Sequence, residues 1–233
     1  MAKNRSKRYK KAVELVEAGK SYGLEEAFGT LKKFPAPKFD PTVTVSFHLG
    51  VDPRKSDQMV RGSVSLPHGT GKNVRVAVFA AGAAAEAATA AGAEHVGYED
   101  LIKKVQGGFT DFDVAIATPE AMTEVRKIAR VLGPRGLMPN PKTGTVTDDT
   151  AKAVGEVKAG RVDYKLDKNG NVSGSIGKAS FKDEALAENA SAFIDSVKRA
   201  KPASAKGNYI RSVTVAASMC PGLPLESSLF TIA

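Results

Sequence analysis

The sequence has few of the residues that most catalytic or secreted domains depend on. Its 233 residues include one cysteine, Cys220, no tryptophan and three histidines, His48, His68 and His95. A single cysteine excludes an internal disulfide framework and a zinc site built from several cysteines. The histidines are scattered and lack metal-ligand spacing. Because no catalytic constellation stands out, we expect a protein that is not an enzyme and that holds no cofactor or metal.

Long hydrophobic runs are also missing. The longest apolar run, Val76 to Ala85, is rich in alanine and too short to cross a bilayer. The first five residues carry charge but have no apolar region of the kind a secretory signal needs. Together with the lone cysteine, these absences predict a cytoplasmic protein without a membrane partner.

Complete phosphate-binding fingerprints are absent as well. The stretch Gly69-Thr70-Gly71-Lys72 would need a glycine at Leu66 and a hydroxyl at Asn73 to form a phosphate loop. The residues after it are typical of a strand, whereas a phosphate loop opens a helix. A nucleotide-binding enzyme is therefore the alternative interpretation and not the favoured one.

Positive charge is abundant, and it lies at the two ends of the chain. The formal net charge is +9, with +6 on residues 1–67, none on residues 68–159 and +3 on residues 160–233. A basic chain usually meets nucleic acid or an anionic membrane surface, although charge alone says nothing of the fold. The asymmetry suggests separate domains with separate partners.

Hydrophobic patterns also separate the middle of the chain from its ends. Strand and helix signals alternate from Asn73 to Val157, which predicts a parallel sheet covered by helices. Thr42 to Leu49 alternates strictly between apolar and polar residues, as in a half-buried strand. Asn169-Gly170 lies between two alternating runs and predicts a β-hairpin. The ends thus favour an antiparallel sheet with helices.

We therefore predict a mixed α/β and α+β fold with two domains. Residues 1–67 and 160–233 form a discontinuous α+β domain, and residues 68–159 form an inserted Rossmann-like three-layer α/β domain. The crossings, Pro67-His68-Gly69 and Ala159-Gly160, would then act as a hinge. Three successive small pieces are the alternative, but each would be marginal as an independent core.

Local signals predict where several helices begin and end. Ser180 with Asp183 indicates a capping box, and Thr147 or Asp148 can cap a helix that runs to Val157. Apolar residues at helical spacing predict one helix over Glu120 to Leu132. Gly107-Gly108 follows a helix and is typical of a C-cap.

Small hydroxyl residues alternate with valines along four predicted strands of the terminal domain. They are Thr42, Thr44, Ser46, Ser63, Ser65, Ser173, Ser175, Ser212, Thr214 and Ser218. Small hydroxyls can approach an RNA backbone closely and bond to ribose 2′-OH groups. The alternative is an ordinary solvent face, since threonine favours strands and a solvent face must be polar.

Basic residues and one aromatic residue flank these strands. Lys38-Phe39 precedes the first strand, Arg54-Lys55 and Arg61 flank a turn, and Lys168 lies in the Asn-Gly turn. Phe39 can pack on a ribose or base while Lys38 meets a phosphate. It can equally be a core phenylalanine at the entry of a strand.

Longer motifs carry a family resemblance over nearly the whole chain. The most specific is VLGPRGLMPNPK at 131–142. Others are GVDPRKSDQ at 50–58, VRG at 60–62, LPHGTGK at 66–72, DKNG at 167–170 and IGK at 176–178. These stretches resemble the stalk protein family of the bacterial large ribosomal subunit, the L-one family.

The resemblance implies a split domain that holds the stalk region of large-subunit rRNA and a Rossmann-like domain on a mobile hinge. It implies a ribosome-bound monomer that contacts deacylated tRNA at the exit site, assists its release, and represses its own mRNA through an rRNA-like leader. The matching rRNA positions, with the strand residue Thr214 and the departure Cys220 added, are Lys38, Phe39, Thr42, Asp167, Lys168, Ser212, Thr214, Ser218, Met219 and Cys220. Arg54, Lys55 and Arg61 match the segment implied to face tRNA.

One departure from the family pattern lies at the end of the last strand. The family usually has Thr-Met-Gly there, and this chain has Ser218-Met219-Cys220. Cysteine adds a Cβ where glycine allows close approach and positive φ. We expect lower rRNA affinity or a rebuilt tail from Pro221 to Ala233. A translational repressor that never enters a ribosome is a further alternative.

Overall fold

The computed structural model describes residues 5–17 and 19–230. Residues 1–4, which contributed to the expectation of no secretory signal, and residues 231–233 of the tail lie outside the described part. The chain splits into two compact units, one of Met1–Gly71 with Val162–Ala233 and one of Lys72–Arg161. The sequence placed the two crossings four and two residues earlier, after residues 67 and 159.

The elements are numbered in chain order. Before the first crossing lie α1 (Lys7–Glu14), α2 (Leu24–Lys32), β1 (Thr42–Leu49) and β2 (Arg61–Ser65). Between the crossings lie β3 (Val76–Phe79), α3 (Ala83–Ala90), β4 (His95–Gly97), α4 (Glu99–Gln106), β5 (Val114–Ala117), α5 (Met122–Val125), α6 (Ala129–Leu132) and α7 (Thr150–Lys158). The chain then forms β6 (Arg161–Lys165), β7 (Asn171–Lys178), α8 (Asp183–Arg199), β8 (Ile210–Ala217) and β9 (Gly222–Pro224).

An antiparallel four-stranded sheet of order β7-β1-β8-β9 dominates the first unit. The predicted alternation of β1 is confirmed, because Val43, Val45, Phe47 and Leu49 are buried while the residues between them are not. The helices α2 and α8 pack with this sheet. Since β1 comes from the first segment and its partners from the last, neither end of the chain forms the sheet alone.

Aromatic packing joins α8 to the sheet. The ring of Phe193 meets Phe47 edge-on at 5.3 Å and Tyr164 at 5.5 Å between ring centroids. Gly174 on β7 lies beneath the same ring, and a Cβ there would be 2.6 Å from Phe193. That separation is far below van der Waals contact, so the close approach of α8 to β7 requires glycine at this position.

The predicted hairpin around Asn169-Gly170 is wrong. A tight turn does connect β6 to β7, but β7 pairs with β1, and β6 pairs with β2 in a separate two-stranded sheet. Long-range pairing overrides the local preference, because a turn motif specifies a reversal and not a partner. Ser63 and Ser65 lie on β2, so they are not part of the four-stranded sheet.

The described part of the tail completes the first unit. The strand β9 pairs with β8, and Leu225 then bridges to Tyr22. Leu223, Leu225 and Phe230 are buried in the core. The sequence did not predict the structure of the tail. The described part of the tail, from Pro221 to residue 230, thus contributes to both the sheet and the core.

The second unit has the predicted three layers. Its parallel sheet has the order β4-β3-β5, and a parallel bridge between Ala117 and Val146 extends it. One apolar cluster includes residues of α4, α5 and α6, and another includes residues of α3 and α7. The predicted class, mixed α/β and α+β with one antiparallel and one parallel sheet, is therefore confirmed.

Several predicted helix boundaries need correction. The helix expected over Glu120 to Leu132 is interrupted by a 3₁₀ turn, Arg126–Ile128, between α5 and α6. Asp149, and neither Thr147 nor Asp148, caps α7 by accepting the N–H of Lys152.

The start of α8 also differs from the prediction, because no side chain caps it. Its N-cap residue is Lys182, and the Ser180 hydroxyl donates instead to Asp40 at 2.7 Å. A tertiary partner has displaced the local capping box. Gly107 is the C-cap of α4, which confirms that prediction.

The proposed hinge residues lie on either side of the division between the units. Pro67, His68 and Gly69 belong to the first unit. There, the buried amide of Asn189 accepts the His68 N–H at 3.1 Å and donates to the Gly69 carbonyl at 3.0 Å. Ala159 and Gly160 follow α7 in the second unit, and Ala159 is its C-cap. Motion at these positions stays a prediction.

Candidate nucleic-acid interface

The face of the four-stranded sheet opposite the helices carries rows of small polar residues. In the register of the sheet, Thr44 lies opposite Ser175 and Ala216, Ser46 opposite Ser173 and Thr214, and His48 opposite Asn171 and Ser212. These residues are half-buried or exposed, while their neighbours along each strand are mostly buried. The structure thus assembles the predicted hydroxyl residues of three strands on one surface, which we call the open face.

Hydrogen bonds across the strands fix side chains of the open face. The hydroxyls of Ser46 and Ser173 lie 3.1 Å apart and share a hydrogen bond. Thr44 donates its hydroxyl to the carbonyl of Ala216 at 3.2 Å. The ring Nδ1 of His48 lies 2.9 Å from Asn171 Oδ1. These bonds hold the side chains in set positions, which favours a surface that recognises shape.

One end of the open face brings together residues from three distant segments. Lys178 donates its ammonium to the Thr42 hydroxyl at 3.0 Å, and the Ser218 hydroxyl donates to the Thr42 carbonyl at 3.3 Å. Phe39 and Met219, at the ends of the segments that enter and leave these strands, are 49% and 69% exposed. The expectation that Phe39 can be a core residue is therefore wrong. Lys38 beside it is exposed.

Met219 has an unusual backbone conformation. Its φ is 63°, and it is the one residue other than glycine with positive φ in the described part of the chain. The turn is closed by the Cys220 N–H, which donates to the Ala217 carbonyl at 3.0 Å. The left-handed residue is therefore Met219, and Cys220 does not adopt the positive φ that a glycine would permit there. Cys220 is half-buried.

The turn after β6 displays Lys168 at an exposed tip. The Asp167 carboxylate accepts the backbone N–H groups of Asn171 at 2.7 Å and Asn169 at 2.8 Å. The first of these bonds is the main cause that lowers the pKa of the Asp167 carboxyl below its ordinary value. Because the carboxylate holds its own turn, its geometry favours positioning Lys168 over direct contact with a polyanion.

The three cations expected to face tRNA lie on or beside the connection between β1 and β2. Arg54, Lys55 and Arg61 are exposed, and none of them forms an ion pair or side-chain hydrogen bond with another described residue. Asp52 shapes this connection by accepting the Arg54 N–H at 3.1 Å. The cations are therefore free to meet phosphates.

Two contributors to the surface were missed by sequence reasoning. His48 was not proposed as a binding residue, yet it stands on the open face bonded to Asn171. Arg8 donates to the carbonyl of Met219 at 3.0 Å, although the two residues are 211 positions apart. The strict alternation of β1 already placed His48 among the polar positions, whereas no local pattern links Arg8 to the last strand.

Comparison with known proteins decides the family. The model of the family described as "Ribosomal protein L1p/L10e family" matches residues 31–221 of the chain. The chain belongs to this family. Its match includes every residue proposed for the open face and its surroundings except Arg8, which precedes it, and ends close to the start of β9.

Bacterial relatives cover almost the whole chain. The "Large ribosomal subunit protein uL1" of Mycolicibacterium smegmatis is 58% identical over 229 residues, 98% of this chain and 97% of the relative. That of Mycolicibacterium gilvum is 56% identical over 229 residues, with 98% and 95% covered. That of Corynebacterium glutamicum (strain R) is 54% identical over 227 residues, with 97% and 96% covered.

Membership of the L1p/L10e family confirms two expectations from the sequence. The family consists of ribosomal proteins and not of enzymes. Such proteins are ribosome-bound components of the cytoplasm in bacteria. In residues 5–17 and 19–230, every helix is too short or too polar to span a bilayer. The same residues contain no group of three or more His, Cys, Asp or Glu placed to hold a metal ion.

Proposed function

We propose that the protein is a constituent of the large ribosomal subunit that grips the stalk region of its rRNA with the open face. The relatives are named as proteins of that subunit. The observation that carries the proposal is the open face itself, with hydroxyls on three strands and an exposed Phe39 and Met219 at one end. Hydroxyls at fixed spacing suit the ribose 2′-OH groups of a folded RNA.

Charge complements this surface. The exposed Lys38 and Lys168 lie on the segments before β1 and after β6, and Arg211 is exposed on β8. Basic side chains gain affinity by neutralising phosphates and releasing counterions, so binding should weaken as salt rises. If about five phosphates are neutralised, the log–log salt slope should be roughly −4.

Filter binding with a stalk rRNA fragment tests the proposal on the full chain. We expect Lys38→Gln and Lys168→Gln each to weaken binding and to reduce the salt slope by roughly 0.9. Lys152→Gln, which removes the same charge from α7 of the second unit, is the matched control and should change little. Equal effects of all three changes, or equal affinity for a scrambled RNA of the same length, would refute a specific grip by the open face.

We also propose that Arg54, Lys55 and Arg61 meet deacylated tRNA at the exit site and assist its release. Their exposure and lack of described ion-pair partners support this role. The triple change to glutamine should slow tRNA release from ribosomes while leaving affinity for the stalk fragment nearly unchanged. Parallel loss of both activities would instead assign these cations to the rRNA grip.

Repression of its own mRNA belongs to the same proposal. A surface that reads RNA shape will accept an mRNA leader that copies the stalk fold. Leader RNA and stalk fragment should therefore compete for one site, and Lys168→Gln should weaken both complexes together. Simultaneous binding of both RNAs would exclude this shared-site mechanism. Sucrose-gradient fractionation then separates a ribosomal protein from a stand-alone repressor.

A further inference from the structure

Arg8 connects α1 with two parts of the candidate interface. Its Nη1 donates to the carbonyl of Pro35 at 3.3 Å, and its Nη2 donates to the carbonyl of Met219 at 3.0 Å. Pro35 begins the short segment that leads to Lys38 and Phe39. One guanidinium therefore joins the segment that carries Phe39 to the turn that carries Met219.

The turn at Met219 needs an anchor. A left-handed backbone is unfavourable for a residue with a side chain, and the Met219 side chain is too exposed for its packing to hold the conformation. The hydrogen bond from Arg8 ends on the carbonyl of this strained residue. Bonds from a charged donor are stronger than neutral ones, and the planar guanidinium fixes the direction of both.

The other cations of α1 are arranged differently. Lys7, Lys10 and Lys11 are exposed, and none forms an ion pair or side-chain hydrogen bond with a described residue. These lysines can act only through their charge. Arg8 is half-buried, and two of its N–H groups donate to carbonyls of the chain. This contrast within one helix supplies a matched control.

We propose that Arg8 is a positioning residue of the RNA interface, which fixes the spacing between Phe39 and Met219 by holding both backbone segments. The inference rests on the proposed function for its meaning, since the spacing matters only if RNA is bound there. The positioning itself is a property of the free protein and can be measured without RNA.

Thiol labelling of Cys220 tests the positioning. Cys220 is the single cysteine of the chain, directly follows Met219 and is half-buried, so an aromatic disulfide reagent reports the order of this turn. Arg8→Gln and Arg8→Lys should each label faster, by roughly tenfold for loss of a charge-assisted bond. Lys10→Gln should label at the wild-type rate. Wild-type labelling of both Arg8 variants, with unchanged melting temperatures, overturns the proposal.

RNA binding then separates geometry from charge. Arg8→Lys keeps the charge but loses the two-pronged bond, so it should bind the stalk fragment roughly tenfold more weakly with an unchanged salt slope. Lys10→Gln should lower affinity less and reduce the slope by at most about 0.9. Wild-type affinity of Arg8→Lys would show that RNA binding needs only the charge of Arg8, and would refute the role of Arg8 as a positioning residue of the RNA interface. If the wild-type chain itself does not prefer the stalk fragment, the proposed function fails, while the labelling result still decides whether Arg8 holds the turn.

Discussion

At the scale of single residues, burial distinguishes apolar side chains that stabilise the fold from exposed ones that are available to bind RNA. Phe34 and Phe39 lie five positions apart, yet Phe34 is 5% exposed and Phe39 is 49% exposed. A single exposed phenylalanine is ordinary on a protein surface, but one beside an exposed lysine at the entry to the open face invites a functional explanation. Stacking on a ribose or base provides one. Substitution of Phe39 should then lower RNA affinity, whereas substitution of Phe34 should lower stability.

Alanine substitution should reveal that contrast. Phe39→Ala should weaken binding of the stalk fragment by roughly tenfold, the loss expected for one stacked base, and leave the melting temperature nearly unchanged. Phe34→Ala should instead cost about 3 kcal/mol of unfolding free energy, because it leaves a cavity in the core. Denaturant unfolding and filter binding of both variants make the comparison. A large loss of stability in Phe39→Ala would contradict the assignment.

The Asp167 turn should respond to acid in a defined direction. The N–H of Asn171 that the carboxylate accepts lowers its pKa below the ordinary 3.8. The ionised carboxylate therefore stabilises the turn fully above pH 3.8, and this stabilisation is lost as the pH falls through the lowered native pKa. An NMR titration should show the Asn171 amide resonance moving with a midpoint below 3.8. Asp167→Asn should abolish that movement, and a midpoint at or above 3.8 would refute the bond.

Periodicity predicts faces at the residue scale but not long-range partners. The alternation of Thr42 to Leu49 correctly identified which side chains of β1 point away from the core. It did not indicate that Arg8 binds Met219, because a single arginine on a basic helix looks the same whether it is solvated or anchored. The exposure of Phe39 was also undecided, since a strand entry is compatible with either location.

At the scale of elements, the strands were predicted more reliably than their pairing. The local signal of Asn169-Gly170 indicates a reversal, and the chain does reverse there. No local sequence pattern specifies that β7 pairs with β1 while β6 pairs with β2. The short strand β9 was not predicted, because three residues with one buried leucine are too few to show the hydrophobic periodicity of a strand.

The tail should prove necessary for stability. Leu223 on β9 is fully buried, so Leu223→Ala should lower the unfolding free energy by about 3 kcal/mol. Leu15→Ala removes the same atoms from a side chain that is 48% exposed and should cost no more than about 0.5 kcal/mol. Urea denaturation measures both. Equal costs would mean that β9 does not close the core.

Asn189 on α8 should be a sensitive point of the first unit. Its buried amide accepts the His68 N–H and donates to the carbonyl of Gly69 and, at 2.7 Å, to that of Ile176. Asn189→Ala leaves these groups without their partner and should cost about 3 kcal/mol. Asn208→Ala, at an exposed position, is the control. Thermal unfolding should show a lowered melting temperature only for Asn189→Ala, and unchanged stability would contradict the bonding described.

At the scale of the whole molecule, charge and fold divide the chain in nearly the same way. Residues 68–159 carry no net charge, and the parallel sheet lies within this region, while the basic ends share the antiparallel sheet. This separation was predictable because composition and periodicity change together along the sequence. It suggests that the inserted unit is not the part of the chain that binds phosphate groups.

Nucleotides should therefore leave the inserted unit unaffected. The stretch Gly69 to Lys72 precedes β3 and does not open a helix, so it cannot direct helix N–H groups at a phosphate. We expect neither ATP nor NAD to raise the melting temperature, whereas the stalk RNA fragment should raise it by mass action. A nucleotide-dependent increase in thermal shift assays would revive the enzyme alternative.

The central position of β1 has a consequence for how the chain is made. Its two neighbours in the sheet, β7 and β8, are encoded more than a hundred residues downstream. During synthesis both edges of β1 stay unpaired until β7 has left the exit tunnel, and its second edge stays unpaired until β8 follows, while the inserted unit can already fold as a domain. A prematurely terminated fragment that ends before β8 lacks one neighbour of β1, so we expect it to bind the stalk RNA more weakly than the finished chain.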